Sequence, residues 1–284
     1  MFRVLLFLVF LAGNLIFSLD KPIIIVSILP QHEFVTRISG EKVKVVTLAG
    51  VGASPHDYEP SPLQMAEIGK ASAYFTINVE FERGILPKIK SLYPSLRIYD
   101  TAKNVEYRNI ESHSDEKENH KKEIIDPHIW LGYKQVKTML SNILEALIEI
   151  TPENASFYRK NYKAYISEID RTFSALSNKL SPHRGKTIFV FHPAFGYLFD
   201  SFGLKQESIE LGGKEPSQKH IVEIVKKAKK ENVKIIFVQK QFSKIAAEKI
   251  AKAIDGKIVE IDPLAQNWLE NINYIGNTIS EALK

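Results

Sequence analysis

A continuous run of β-branched residues, Ile23 to Ile28, most constrains the fold of this chain. Runs of this kind form strands that are buried on both faces, as in a parallel sheet covered by helices. Similar strand patterns follow at residues 43–48 and 73–77, and a helical segment from Gln31 to Ser39 precedes the second strand. Gly40 can supply the left-handed residue after that helix. This alternation predicts an α/β fold.

One long helix is predicted near the middle of the chain. Thr151 is expected to be its N-cap and Pro152 its first residue. Apolar residues then recur at steps of three and four: Tyr158, Tyr162, Tyr165, Ile169, Phe173, Leu176 and Leu180. A helix that reaches Leu180 would be about 40 Å long at 1.5 Å per residue.

Strand and helix patterns resume after this helix. Strands are predicted at residues 187–191, 234–238 and 257–261, with one helix capped by Ser217 and another from Ser243. We therefore expect two βα lobes with mainly parallel sheets, joined by one long helix. The predicted boundaries are a signal peptide at 1–18, an N-terminal lobe at 19–150, a linking helix at 151–181 and a C-terminal lobe at 182–284.

The first 18 residues have the layout of a secretory signal: Arg3, an apolar stretch from Val4 to Phe17, and the small residue Ser18. The stretch is shorter than the ~20 residues that span a bilayer comfortably, although an uncleaved N-terminal anchor is the alternative. The folded part is expected outside the cytoplasm in either case. The sequence has no cysteine, which excludes disulfides, thiolate metal sites and a lipid-modified cysteine. This favours a periplasm.

Charge is mixed along the chain. The 38 Lys and Arg residues against 33 Asp and Glu residues give a formal net charge of +5, which indicates a solvated surface and not a nucleic-acid footprint. Residues 107–123 form a polar, charged stretch that predicts a mobile loop.

Four residues are candidate ligands, and at least three of them stand where a ligand would bind in an α/β protein. His56 lies in a loop after a predicted strand, His128 follows Asp126-Pro127, and His192 and Asp262 each end a predicted strand. Ligands of open α/β sheets bind beyond the carboxyl ends of the strands. Three imidazoles and one carboxylate fit Zn²⁺ better than manganese, which prefers more carboxylate oxygen. Separate structural roles for the four residues are the alternative.

A protein shell that fills every tetrahedral position leaves no site for water, so we expect the ion to be held and not used in catalysis. A zinc-dependent hydrolase is a weaker alternative, because the sequence has no His-Glu-x-x-His, Gly-x-Ser-x-Gly or phosphate-binding glycine loop. His32, His183 and His220 are expected to be structural or surface histidines.

Five motifs match a known family in order: the segment around His56, residues 126–131, residues 191–195, residues 215–217 and residues 261–264. With them the mature chain resembles the extracytoplasmic metal-binding proteins of ABC importers for zinc and manganese. The resemblance implies a cleft between two lobes, with ion ligands at His56, His128, His192 and Asp262, and a rigid linking helix that limits lobe movement.

The resemblance also implies a function. The expected activity is high-affinity capture of Zn²⁺ and its delivery to a membrane permease with a separate ATPase subunit, by a monomer that is not an enzyme. Zinc-type members are similar in carrying histidine at the position of His192, where manganese-type members usually carry glutamate. A Mn²⁺ or Fe²⁺ carrier is the alternative, and adhesion is a possible second role.

Two features depart from the family. Zinc importers often have a long His-rich loop before the second ligand, whereas here the loop holds only His113 and His120. Weak auxiliary metal binding there is the alternative to a solvated charged loop. Asn78 stands where the family usually has glycine, and Asp262 is at a position where the family's fourth ligand varies.

Overall fold

The fold is described from a computed structural model, which covers residues 21–110, 124–210, 215–242 and 244–284. The predicted signal peptide and the two loop histidines, His113 and His120, lie outside these residues. Within them, no helix has both the length and the apolar character needed to span a membrane.

The first half of the chain builds a four-stranded parallel sheet of order β2-β1-β3-β4. Its core strand β1 has the β-branched run that predicted it, and five of its six residues are buried. The elements are β1 (Ile23–Ile28), α1 (Leu29–Ser39), β2 (Lys44–Ala49), α2 (Pro62–Ile68), β3 (Ala73–Thr76), α3 (Glu80–Leu92), β4 (Arg97–Asp100) and α4 (Tyr133–Ile150).

One helix, α5 (Ala155–Leu180), joins the two halves. It has 26 residues, and its predicted end at Leu180 is confirmed. Its predicted start is not, because Pro152–Asn154 form a 3-10 turn before it. The Thr151 hydroxyl does not cap the turn. It donates instead to the Leu147 carbonyl or shares a hydrogen bond with Tyr158 Oη.

The second half repeats the arrangement in a parallel sheet of order β6-β5-β7-β8. The predicted α/β fold of two parallel sheets and one long helix is confirmed. The lobe boundaries given above stay predictions. The elements are β5 (Thr187–Val190), α6 (Gly196–Phe202), β6 (Lys205–Ser208), α7 (Gln218–Lys230), β7 (Ile235–Val238), α8 (Ile245–Ala253), β8 (Lys257–Glu260) and α9 (Trp268–Ala282).

The two tryptophans tie the halves together beside the cleft. Trp130 Nε1 donates to the Pro263 carbonyl over 2.8 Å, and Trp268 Nε1 donates to the Trp130 carbonyl over 2.6 Å. Both indole rings are buried, and buried indole N–H groups need such acceptors. These bonds hold the segment after His128 against the segment after β8.

In each parallel sheet the order in which strands are added reverses beside the first strand, between β1 and β3 and between β5 and β7. Ligand sites of open α/β sheets lie at such switch points, beyond the carboxyl ends of the strands. The loops that leave these ends carry the predicted site residues.

Candidate metal centre

His56 lies in the loop between β2 and α2, after a turn in which Ala53 N donates to the Gly50 carbonyl. Its Nδ1 is 3.2 Å from Oε1 of Glu80, the first residue of α3. Phe81 N donates to the Pro55 carbonyl, which holds the start of α3 beside this loop.

His128 is fixed by the aspartate two residues before it. Asp126 Oδ1 accepts from the His128 backbone N–H over 3.0 Å and from the ring Nδ1 over 2.7 Å. Arg108 Nη1 contacts the other oxygen of Asp126 at 3.1 Å. Tyr197 Oη donates to the Asp126 carbonyl at 2.8 Å. The carboxylate is fully buried, so these contacts give the imidazole one orientation.

His192 is the second residue after β5, and the segment after β7 holds it in place. Its backbone N–H donates to Gln239 Oε1 (3.1 Å), and its carbonyl accepts from Gln239 Nε2 (2.8 Å). The Phe242 ring stacks on its imidazole with centroids 4.6 Å apart. Glu210 Oε1 lies 2.7 Å from its Nδ1.

The three imidazoles meet with their Nε2 atoms facing one another. His192 Nε2 is 3.1 Å from Nε2 of His56 and 3.1 Å from Nε2 of His128. One ligand atom from each ring lies within 4.8 Å of the others. Two nitrogens bound to one zinc ion at 2.0–2.1 Å with a tetrahedral angle are about 3.3 Å apart. The observed spacing is therefore close to that of zinc ligands.

A carboxylate behind each ring sets which nitrogen carries the proton. Glu80, Asp126 and Glu210 can only accept when ionised, so each Nδ1 donates and each Nε2 presents a lone pair to the centre. Three lone pairs at this spacing repel one another unless a cation lies between them. Carboxylate–histidine pairs of this kind orient metal ligands and raise their basicity.

The pKa values of the rings reflect these surroundings. Burial lowers the pKa of His192 to about 4, against the opposing effect of the Glu210 hydrogen bond. Burial also opposes protonation of His56, but the hydrogen bond and charge of Glu80 outweigh it and raise the pKa of His56. His192 is therefore neutral at physiological pH and ready to bind a metal, whereas protons compete more strongly at His56.

Asp262, the predicted fourth ligand, lies after β8, but among the described residues only the three histidines form the close ligand group. Its Oδ1 accepts from Gln241 Nε2 at 3.2 Å and from the Leu264 backbone N–H at 2.9 Å. Ligation by Asp262 stays a prediction. His32 contacts Thr47 Oγ1 instead.

The carboxylates behind the rings were missed by sequence reasoning. Asp126 had a usable signal, since it stands two residues before His128. Glu80 and Glu210 come from segments 24 and 18 residues away from their partners (80 − 56 and 210 − 192). Only the three-dimensional fold brings them together.

A sequence model of the family described as "ZnuA: Zinc-uptake complex component A periplasmic" matches residues 24–282. Among curated relatives, the zinc-binding lipoprotein AdcA of Streptococcus pneumoniae is 26% identical over 267 residues, which cover 90% of this chain and 53% of AdcA. The chain thus spans about half the length of that relative.

Solved structures with the same fold include a crystal structure of ZnuA, with a TM-score of 0.86 and 32% identity over 93% of this chain and 100% of that chain. The laminin-binding protein Lmb of Streptococcus agalactiae, described as a bifunctional protein with adhesin and metal transporting activity, has a TM-score of 0.80 and 26% identity over 93% and 100%. FpvC of Pseudomonas aeruginosa, in complex with Mn²⁺, has a TM-score of 0.79 and 22% identity over 93% and 98%.

Proposed function

We propose that this chain, which belongs to the family of periplasmic zinc-uptake complex component A, captures Zn²⁺ with high affinity outside the cytoplasmic membrane. As a family member it is the metal-binding component of an ABC uptake system for zinc or manganese, and it is not an enzyme. The observation that carries the choice of zinc is the convergence of three imidazole Nε2 atoms. His192 Nε2 is 3.1 Å from Nε2 of His56 and 3.1 Å from Nε2 of His128.

Zinc is favoured over manganese by the donor atoms. Imidazole suits zinc, whereas manganese prefers carboxylate and carbonyl oxygen, and for a given site the affinity for zinc exceeds that for manganese. The three carboxylates of the centre all face Nδ1 atoms and not the middle of the group. An oxygen would complete a tetrahedron, and the sequence predicts Asp262 for that place.

Release follows from the origin of the ligands. His56 and His128 come from the first half of the chain and His192 from the second. Separation of the two halves would therefore remove one imidazole from the ion and weaken its binding steeply. We propose that a membrane permease, driven by a separate ATPase subunit, receives the ion in this way. A periplasmic location and a second role in adhesion are parts of the same proposal; Lmb supports the latter.

Competition between Zn²⁺ and Mn²⁺ tests the choice of ion. Metal-free protein is titrated with each ion in the presence of a chromophoric chelator, alongside His192→Glu and the control His220→Gln. His220 is also buried but lies on α7 outside the centre. We expect zinc to displace manganese from the wild type and the control, and His192→Glu to lose zinc affinity. A wild type that prefers manganese would contradict the proposal.

A further inference from the structure

We infer that the amide oxygen of Gln241 is the fourth zinc donor, and that Asp262 acts by holding that amide in place. The inference rests on the proposed function, since it concerns the ion that the three histidines hold. It assigns a binding role to a residue that the sequence analysis did not single out.

Gln241 lies between two residues that contact His192. It follows β7, and its neighbours in this segment are Gln239, which forms two hydrogen bonds with the His192 backbone, and Phe242, which stacks on the His192 ring. Gln241 lines the same small pocket as all three imidazoles. Its place relative to His192 is therefore fixed from both sides.

The orientation of the amide follows from its partner. Gln241 Nε2 is 3.2 Å from Asp262 Oδ1. Because an ionised carboxylate only accepts hydrogen bonds, the NH₂ group must face Asp262 and the oxygen must face away from it. Asp262 Oδ1 is itself held by the Leu264 backbone N–H at 2.9 Å. The carboxylate thus acts as an anchor for the amide.

The amide oxygen has no partner of its own. Gln241 Oε1 is buried and accepts no hydrogen bond in the described structure. A buried carbonyl oxygen without a partner is costly and therefore calls for an explanation such as a bound ion. An ion among the three Nε2 atoms would give this oxygen the positive partner that it lacks.

Charge balance allows a neutral fourth donor. Glu80, Asp126 and Glu210 already place three negative charges behind the three imidazoles. These charges act on the ion through the rings. A fourth carboxylate bound directly to Zn²⁺ is not required to compensate its two positive charges.

Three variants separate Gln241 from Asp262 as the ligand: Gln241→Leu, Gln241→Glu and Asp262→Asn, with Gln135→Leu as a control on α4. The readouts are zinc affinity by chelator competition and the visible absorption of Co²⁺-loaded protein, which is intense when cobalt is four-coordinate with a tetrahedral shell. Thermal unfolding of the metal-free variants checks that each is folded.

We expect Gln241→Leu to lower zinc affinity by about tenfold or more and to weaken the cobalt absorption. Gln241→Glu keeps an oxygen there but cannot donate to Asp262, so it should also lose zinc affinity. Asp262→Asn, whose amide oxygen can still accept from Gln241, should change both readouts little. A larger loss in Asp262→Asn than in Gln241→Leu, or no loss in Gln241→Leu, would overturn the inference. A wild type that does not bind zinc would instead defeat the proposed function.

Discussion

Replacing Glu210 with glutamine removes the negative charge behind one metal-binding imidazole and leaves the volume of the side chain almost unchanged. Glu210 is buried, with a side chain that is 3% exposed, and its Oε1 is 2.7 Å from Nδ1 of His192. No water competes for this contact at such low exposure, so the carboxylate fixes the tautomer of the ring and increases the electron density at Nε2. The variant Glu210→Gln therefore tests the electrostatic design of the centre.

Loss of an outer partner of a metal ligand typically weakens metal binding about 10–100-fold, which corresponds to about 1.4–2.8 kcal/mol. The smaller value applies if the glutamine presents its oxygen to Nδ1 and only the charge is lost. The larger value applies if its NH₂ faces the ring, because Nε2 must then carry the proton and release it before binding zinc. The contact is short and buried, so we expect an effect well within this range.

The assay is competition with a chromophoric zinc chelator at pH 7.5, and the matched control is Glu223→Gln. Glu223 also lies near a histidine, His220 at 3.9 Å, but on the surface of α7 away from the centre. We expect the control to bind zinc like the wild type. Equal zinc affinities for Glu210→Gln and the wild type would refute the reasoning.

Three further results are expected. Burial raises the pKa of Glu82 from 4.5 to about 7. The contribution of Glu82 to the free energy of unfolding is therefore complete below pH 4.5, and about 3 kcal/mol of it is lost as pH rises through 7. Urea unfolding of metal-free Glu82→Gln across this window should lack that part of the pH dependence. Gly276→Ala should lower the free energy of unfolding by about 1–3 kcal/mol, because its Cβ would lie 2.6 Å from Leu176 Cδ2. Gly84→Ala is the matched control: open space surrounds that position, so the variant should raise the melting temperature. Zinc affinity should fall as pH drops, first as His56 gains a proton, because Glu80 raises the pKa of that ring; equal affinities at pH 7.5 and pH 5 would exclude imidazole ligation.

Strands with apolar runs could be predicted from the sequence, and polar ones could not. The run Ile23–Ile28 gave β1 with its bounds correct. Strand β6, Lys205–Ser208, has the sequence KQES, which carries no hydrophobic pattern, yet three of its residues are buried. Tertiary contacts explain this burial, since Gln206 Oε1 accepts from Phe195 N and Glu207 pairs with Lys227.

The same limit applies to the centre. Its histidines could be recognised because each has a proline neighbour, and because His56 and His192 come after predicted strands. Glu210 was out of reach, because it follows β6, the strand that the pattern did not reveal. Asn78 marks an intermediate case: the family comparison placed it where glycine is usual, and its φ of 65° is in the left-handed region. Asparagine adopts this conformation more readily than most residues, so the departure preserves the backbone turn that leads to Glu80.

The position of the metal in zinc-loaded crystals tests the account most directly, through anomalous diffraction measured on both sides of the zinc absorption edge. We expect one strong anomalous peak enclosed by Nε2 of His56, His128 and His192, at about 2.0–2.1 Å from each. A zinc peak that leaves any of these nitrogens uncoordinated, or no peak between them at saturating zinc, would contradict the central claim.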